Sequence, residues 1–226
     1  MPVFRLPKEI VFPDPDLADP DGLLAVGGDL SPARILSAYQ HGIFPWYSGK
    51  EPILWWSPAP RLVLFPEEFH LPKRLARTIR QQIFQVSADT VFAEVITACA
   101  KVREESGTWI TQEMQQAYIR LHELGFAHSI ECRVDGELVG GLYGLCLDKM
   151  FFGESMFSRK SDASKVALAA LVSHAQRIGI QAVDCQMTTA HLLRFGSREL
   201  TRQEFQRLLE QLIRRIEPQH CWRMEG

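Results

Sequence analysis

The sequence predicts an α/β (α+β) chain: a small proline-rich N-terminal domain, then a larger domain with a mixed sheet and covering helices. Three observations carry this. Most of the 13 prolines fall before residue 61, where stiff loops and short elements replace long ones. From Phe84 onward, strand-like runs alternate with runs of helical period, many closed by a glycine. The stretch from Phe151 to Met187 reads strand, helix, strand, a βαβ unit whose strands are parallel and adjacent or nearly so. A boundary between Pro58 and Arg61 gives domains of residues 1–60 and 61–226.

In chain order, Asp21 to Leu30 carries two turn signals around a short apolar run, a small strand. Ser31-Pro32 opens a helix through Tyr39, with Pro32 at the first helical position and Gly42 as the stop. Gln85 to Ser87 is a short strand; Thr90 to Val102 and Thr111 to Leu124 are amphipathic helices, and Gly125 closes the second. Ala127–Arg133 and Leu138–Leu147 form a hairpin turning at Asp135-Gly136. Gly140, Gly141 and Gly144 in the returning strand mark a bulge or a close backbone approach. Phe151–Phe157 is the next strand, and alternation puts Phe152, Glu154 and Met156 on one face. Asp162 is the expected N-cap of a helix over Ala163–Ile178 that Gly179 ends. Ile180–Met187 is strand-like, residues 188–196 hold His191 in a loop or short helix, and Arg202–Ile216 is a final helix.

Composition narrows the function classes. A formal net charge of −2 means that any nucleic-acid contact rests on a local patch. Five widely spaced cysteines with no Cys-x-x-Cys pair argue for reduced thiols, against a disulfide scaffold or a structural zinc. The N-terminus lacks a signal peptide's apolar run, and no stretch approaches the roughly 20 apolar residues of a membrane helix, so a cytoplasmic protein is expected. Gly27-Gly28 lacks the Lys-Ser/Thr of a phosphate loop and the spacing of a dinucleotide fingerprint. No ATP site, metal site or other cofactor is expected.

Chemistry concentrates at three places. A carboxylate between large apolar side chains, as Glu154 is, costs free energy to bury unless something binds it. Asp184 and Gln186 are two apart on a strand and project from one face. If that is the face of Glu154, two carboxyls and a carboxamide share a pocket; solvated residues at a strand end would give the same spacing. Three of the five tryptophans lie within Trp46–Trp56, material for core or for a surface on which a base stacks. Lys73, Arg77 and Arg80 sit at i, i+4 and i+7 of a helix, a positive stripe that is either a solvated face or a phosphate contact.

Taken together, the motifs resemble the leucyl/phenylalanyl-tRNA–protein transferases. They are Asp21-Gly22-Leu23-Leu24-Ala25 with Gly27-Gly28-Asp29-Leu30, Gly42-Ile43-Phe44-Pro45-Trp46, Trp55-Trp56-Ser57-Pro58, Gly107-Thr108-Trp109-Ile110, Ala127-His128-Ser129-Ile130-Glu131, Gly153-Glu154-Ser155-Met156-Phe157 and Asp184-Cys185-Gln186. The resemblance spans nearly the whole chain; Leu142 stands where some members carry methionine. It implies an N-acetyltransferase-like second domain. It also implies a monomeric enzyme that moves Leu or Phe, and Met less well, from aminoacyl-tRNA to proteins beginning with Arg or Lys, marking them for degradation.

On this reading Asp184 and Gln186 are the catalytic pair, Asp184 drawing the amine's proton directly or through Gln186, while Glu154 recognises the tRNA 3′-adenosine or the donor's amino group. Phe151, Met156, Val183 and Leu142 form the donor pocket, Trp46 and Trp109 flank the terminal adenosine, and Lys73, Arg77 and Arg80 hold phosphates without reading sequence. Glu154 or Asp184 would contribute to a surface for the acceptor's basic residue. An acetyl-coenzyme A enzyme would want a glycine-rich loop before the helix at 163, where Ser158–Asp162 has none. A non-catalytic RNA-binding protein would leave Glu154 and Asp184 without purpose.

Overall fold

The computed structural model describes residues 3–49, 51–102, 109–220 and 222; Gly107, Thr108 and Cys221, used above, lie outside them. A four-stranded sheet of order β1-β2-β4-β3 is built from β1 (Phe4–Leu6), β2 (Leu23–Gly27), β3 (Phe44–Pro45) and β4 (Leu54–Trp56), beside α1 (Pro32–Gln40). Arg34 of α1 is buried and donates to the carbonyls of Pro7, Lys8 and Glu9, which ties the first loop to the helix.

The second sheet holds seven strands in the order β11-β5-β10-β9-β8-β7-β6. They are β5 (Arg61–Leu64), β6 (Gln85–Ala88), β7 (Ala127–Val134), β8 (Glu137–Leu147), β9 (Met150–Ser158), β10 (Ala182–Asp184) and β11 (Arg198–Leu200). Among these pairings β9 and β10 are parallel and the others antiparallel, so the mixed sheet expected from the sequence is present. One face is covered by α3 (Phe92–Lys101) and α4 (Gln112–Glu123), together with α1 and residues of the first sheet. The other face is covered by α5 (Ala163–Ile178), with Leu75 of α2 (Lys73–Arg80) beside it. Two short helices, α6 (Ala190–Leu193) and α7 (Arg202–Leu212), complete the chain. No helix among the described residues is long and apolar enough to cross a membrane. Cys132, Cys146 and Cys185 form no disulfide among the described residues.

The three glycines of β8 have the packing reason that the sequence suggested. A Cβ at Gly140 would collide with Ala163, one at Gly141 would lie 2.6 Å from the Ile130 carbonyl oxygen, and one at Gly144 would collide with the Phe152 carbonyl. The bulge sits here as well. Tyr143 pairs with Ser155 and Gly144 with Gly153, so Glu154 has no partner opposite it. This corrects the simple alternation. Phe152 and Phe157 face one core while Phe151 and Met156 face the other, because the extra residue at Glu154 reverses the phase.

Three further expectations are corrected. Only Ala182–Asp184 of the stretch Ile180–Met187 pairs as a strand, since Gln186 takes a left-handed φ of 59°. Asp162 sits at the start of α5, but in the left-handed region and without capping the helix; its carboxylate accepts from Lys165 Nζ at 2.7 Å. The last helix ends at Leu212, where Ile213 leaves the helical region at φ −113°, ψ 87°.

Candidate active site

β9 runs on past the end of β10, and the parallel pair parts after the Phe152–Asp184 register. A cavity of about 480 Å³ opens at this splay, within the size range of small-molecule sites. Its wall includes Trp46, Trp109, Leu142, Phe151, Glu154, Met156, Val183 and Gln186. The seven residues assigned above to the donor and its adenosine therefore line one cavity together with Gln186. Leu168 and Leu171 of α5 and Leu192 of α6 also line it. The i, i+3 spacing of the first two on a helix that covers the sheet is a usable sequence signal for them.

Glu154 is the buried acid of this cavity, 7% exposed. Oε1 accepts from Tyr39 Oη at 2.7 Å and from Gln186 Nε2 at 3.0 Å, and Oε2 accepts from Tyr118 Oη at 3.1 Å. The two phenol oxygens are 2.5 Å apart. Two phenol protons serve three contacts, so the phenols and Gln186 fill at most three of a carboxylate's about four acceptor positions, and at least one stays open on Oε2 among the described residues. Burial pushes the Glu154 carboxyl up to about 7; the two tyrosine hydroxyls and Arg61 oppose the rise, and Asp184 adds to it. Burial, then the Glu154 charge, also raise Tyr39 and Tyr118 well above the usual phenol range, so both are donors at neutral pH.

Asp184 lies behind the cavity wall and does not line it. Its side chain is fully buried and receives Arg61 in bidentate fashion, Nε to Oδ1 at 2.9 Å and Nη2 to Oδ2 at 2.7 Å. Arg61 in turn lies between the rings of Phe44 and Phe205, 4.8 Å from each centroid, and donates to the Gly42 carbonyl. Asp184 Oδ1 also accepts the backbone N–H of Gln186 at 2.8 Å. That bond, with Leu62 N–H donating to the Gln186 carbonyl at 3.2 Å, holds the left-handed turn that aims the carboxamide at Glu154. A chain of contacts thus runs from Arg61 through Asp184 and Gln186 to Glu154. Asp184 presents no surface to an acceptor.

Lys73, Arg77 and Arg80 are exposed on α2 and lie outside the cavity wall. No ion pair joins them to an acid among the described residues. Trp46 and Trp109 are half-buried at the wall, with Trp46 edge-on to Trp56 at 5.6 Å. His191 also lines the cavity; burial, then Lys165 and Arg194, lower its pKa. Arg61, Tyr39 and Tyr118 are further site residues that the sequence does not mark, being drawn in from 123, 115 and 36 positions away in the chain.

An apolar cavity with aromatic rings on its wall and one buried carboxyl raised to about 7 can hold an apolar side chain and exchange a proton near neutral pH. Residues 63–210 match the model of the leucyl/phenylalanyl-tRNA protein transferase family, and residues 28–59 match that of its N-terminal domain. The chain is similar to the leucyl/phenylalanyl-tRNA–protein transferase of Aromatoleum aromaticum, 64% identical over 84% of this chain and 80% of that one. It is 55% identical to that of Syntrophobacter fumaroxidans over 100% of this chain and 97% of that one. Among solved structures it is similar to a GCN5-related N-acetyltransferase from Kribbella flavida, with a TM-score of 0.43 at 13% identity over 75% of this chain and 61% of that one. The chain belongs to the leucyl/phenylalanyl-tRNA–protein transferase family and is an aminoacyltransferase.

Proposed function

We propose that the protein transfers leucine or phenylalanine, and methionine less well, from aminoacyl-tRNA to the α-amino group of proteins that begin with arginine or lysine, marking them for degradation. The observation that carries the mechanism is Glu154, with one open acceptor position beside an apolar cavity. The donor side chain occupies the pocket of Leu142, Phe151, Met156 and Val183, and its adenosine lies against Trp46 and Trp109. The acceptor's amine attacks the ester carbonyl, forming the C–N bond. Glu154 takes the amine's proton on Oε2, the bond between the carbonyl carbon and the ribose oxygen breaks, and the proton returns to the leaving ribose oxygen.

In this reading the proton-accepting role passes from Asp184 to Glu154. Asp184, neutralised by Arg61, instead fixes the turn from which Gln186 orients Glu154. An ester is already activated, so positioning and proton transfer suffice. A pocket of this kind tolerates methionine, whose thioether adapts, and rejects β-branched side chains by shape.

Radiolabelled leucine or phenylalanine on tRNA, incubated with Arg- or Lys-initiated peptides, tests the assignment. The expected result is label on the peptide's α-amine and none on a peptide beginning with an acidic residue. Acetyl transfer from acetyl-coenzyme A to the same peptides, with no aminoacyl transfer, would overturn it. Replacing Lys73, Arg77 and Arg80 by alanine together is expected to weaken tRNA binding while leaving kcat at saturating tRNA unchanged. The salt dependence of binding should flatten by roughly 2 to 3 in log–log slope, measured by filter binding between low and physiological salt.

A further inference from the structure

Phe151 forms part of the cavity wall yet is fully buried, so its ring position depends on what stands behind it. Two groups do. At Gly144 of β8 an added Cβ would lie 2.7 Å from the ring atoms of Phe151, so the ring edge presses on bare backbone. Beside it lies the indole of Trp222, with its centroid 5.4 Å from that of Phe151 and the planes at 35°.

Trp222 is itself held firmly. It is 2% exposed, stacks on His128 at 4.3 Å and 8°, meets His174 at 5.0 Å, and donates Nε1–H to Gln219 Oε1 at 3.3 Å. The segment that carries it is tied to the end of the sheet. Gln219 N–H donates to the Gly125 carbonyl at 2.7 Å, Gln219 Nε2 to the Asp148 carbonyl at 2.9 Å, and Arg214 N–H to Asp148 Oδ2 at 3.0 Å. The residues that match the family model end at 210, so Trp222 lies beyond them.

We propose that Trp222 is a positioning residue for donor selection, setting the depth of the aminoacyl pocket through Phe151. A wall one side chain thick is only as fixed as its backing, because interiors are close-packed and a void behind a ring lets it tilt. Without the indole, Phe151 leans into the vacated space and the pocket deepens. Leucine then loses contact at the far wall, whereas the longer phenylalanine side chain keeps it. This rests on the reading of the cavity as the aminoacyl site.

The test is kcat/KM with leucyl- and phenylalanyl-tRNA for the wild type, Trp222→Ala, Trp222→Phe and Leu212→Ala. Leu212 is a buried residue of α7 in the opposite core, and serves as a control for general loosening. Trp222→Ala is expected to raise the Phe-to-Leu ratio about fivefold to tenfold, the scale on which small volume changes act in apolar pockets. Trp222→Phe should fall between it and the wild type, and Leu212→Ala should leave the ratio unchanged. An unchanged ratio in folded Trp222→Ala, or an equal shift in Leu212→Ala, overturns the proposal. Should the alanine variant not fold, the ratio of Trp222→Phe decides: a rise supports the proposal and an unchanged value overturns it. A wild type that transfers neither amino acid would sink the functional assignment instead.

Discussion

Glu154→Gln lowers kcat/KM for aminoacyl transfer by about 100- to 1,000-fold, the span over which a positioned general base acts. The substitution keeps the shape and one acceptor oxygen beside Tyr39, Tyr118 and Gln186, but removes the carboxylate to which the proposed mechanism gives the amine's proton. The pH profile should change with it. With the Glu154 carboxyl pushed up to about 7 by burial, wild-type kcat/KM rises through a first ionisation there. A second follows near the acceptor amine's own value of about 8. In Glu154→Gln only the second remains. Stability carries the opposite sign. Because the folded value lies above the ordinary 4.5, the native state keeps a proton that the unfolded chain has lost. The contribution is complete below 4.5 and disappears as pH rises through about 7. Urea midpoints should therefore fall across that window in the wild type and stay flatter in Glu154→Gln.

The second large effect falls on the pair behind the cavity. Arg61→Ala or Asp184→Ala alone should cost about 3–5 kcal/mol of stability, since each leaves the other as an uncompensated buried charge. The buried, bidentate geometry makes the pair the extreme case among the ion pairs of the described residues. Arg61→Met with Asp184→Leu should cost much less than the sum of the single changes, because apolar groups of similar size replace a buried pair with little net loss. Transfer should stay low in that double variant even where it folds, because the turn that aims Gln186 has lost its acceptor. Urea unfolding measures the first expectation and the transfer assay the second. Additive single costs, or full activity in the double variant, would contradict the roles given to Asp184 and Arg61.

Much of the fold was legible because its signals are local. Gly42, Gly125 and Gly179 end helices in the left-handed region. Asp135-Gly136 turns the β7–β8 hairpin, and those two strands with β9 are long enough for their apolar runs to declare them. Strands too short for a period to emerge are not declared by the sequence: β1, β3 and β4 have 3, 2 and 3 residues, and β5 and β11 have 4 and 3. The last two exist because β10 offers an edge on which β5 pairs, followed by β11. The face of Met156 was misjudged because a bulge is a property of two strands paired in space, and nothing within Phe151–Phe157 announces it.

The site divides in the same way. Glu154 was conspicuous as a charge set in an apolar strand, and that cost of burial is written in its neighbours. What burial does to it depends on Tyr39, Tyr118 and Gln186, three groups from three other parts of the chain. Asp184 looked like a base because its partner, Arg61, stands at the head of a strand too short to recognise.

The titration of the Glu154 carboxyl tests the account most directly, followed by ¹³C NMR in protein labelled at glutamate Cδ and assigned by the signal lost in Glu154→Gln. The expected result is a carboxyl titrating at about 7, with the same midpoint as the first limb of wild-type kcat/KM. A Glu154 signal that titrates at the ordinary carboxyl value, with the kinetic limb unmoved, would contradict it.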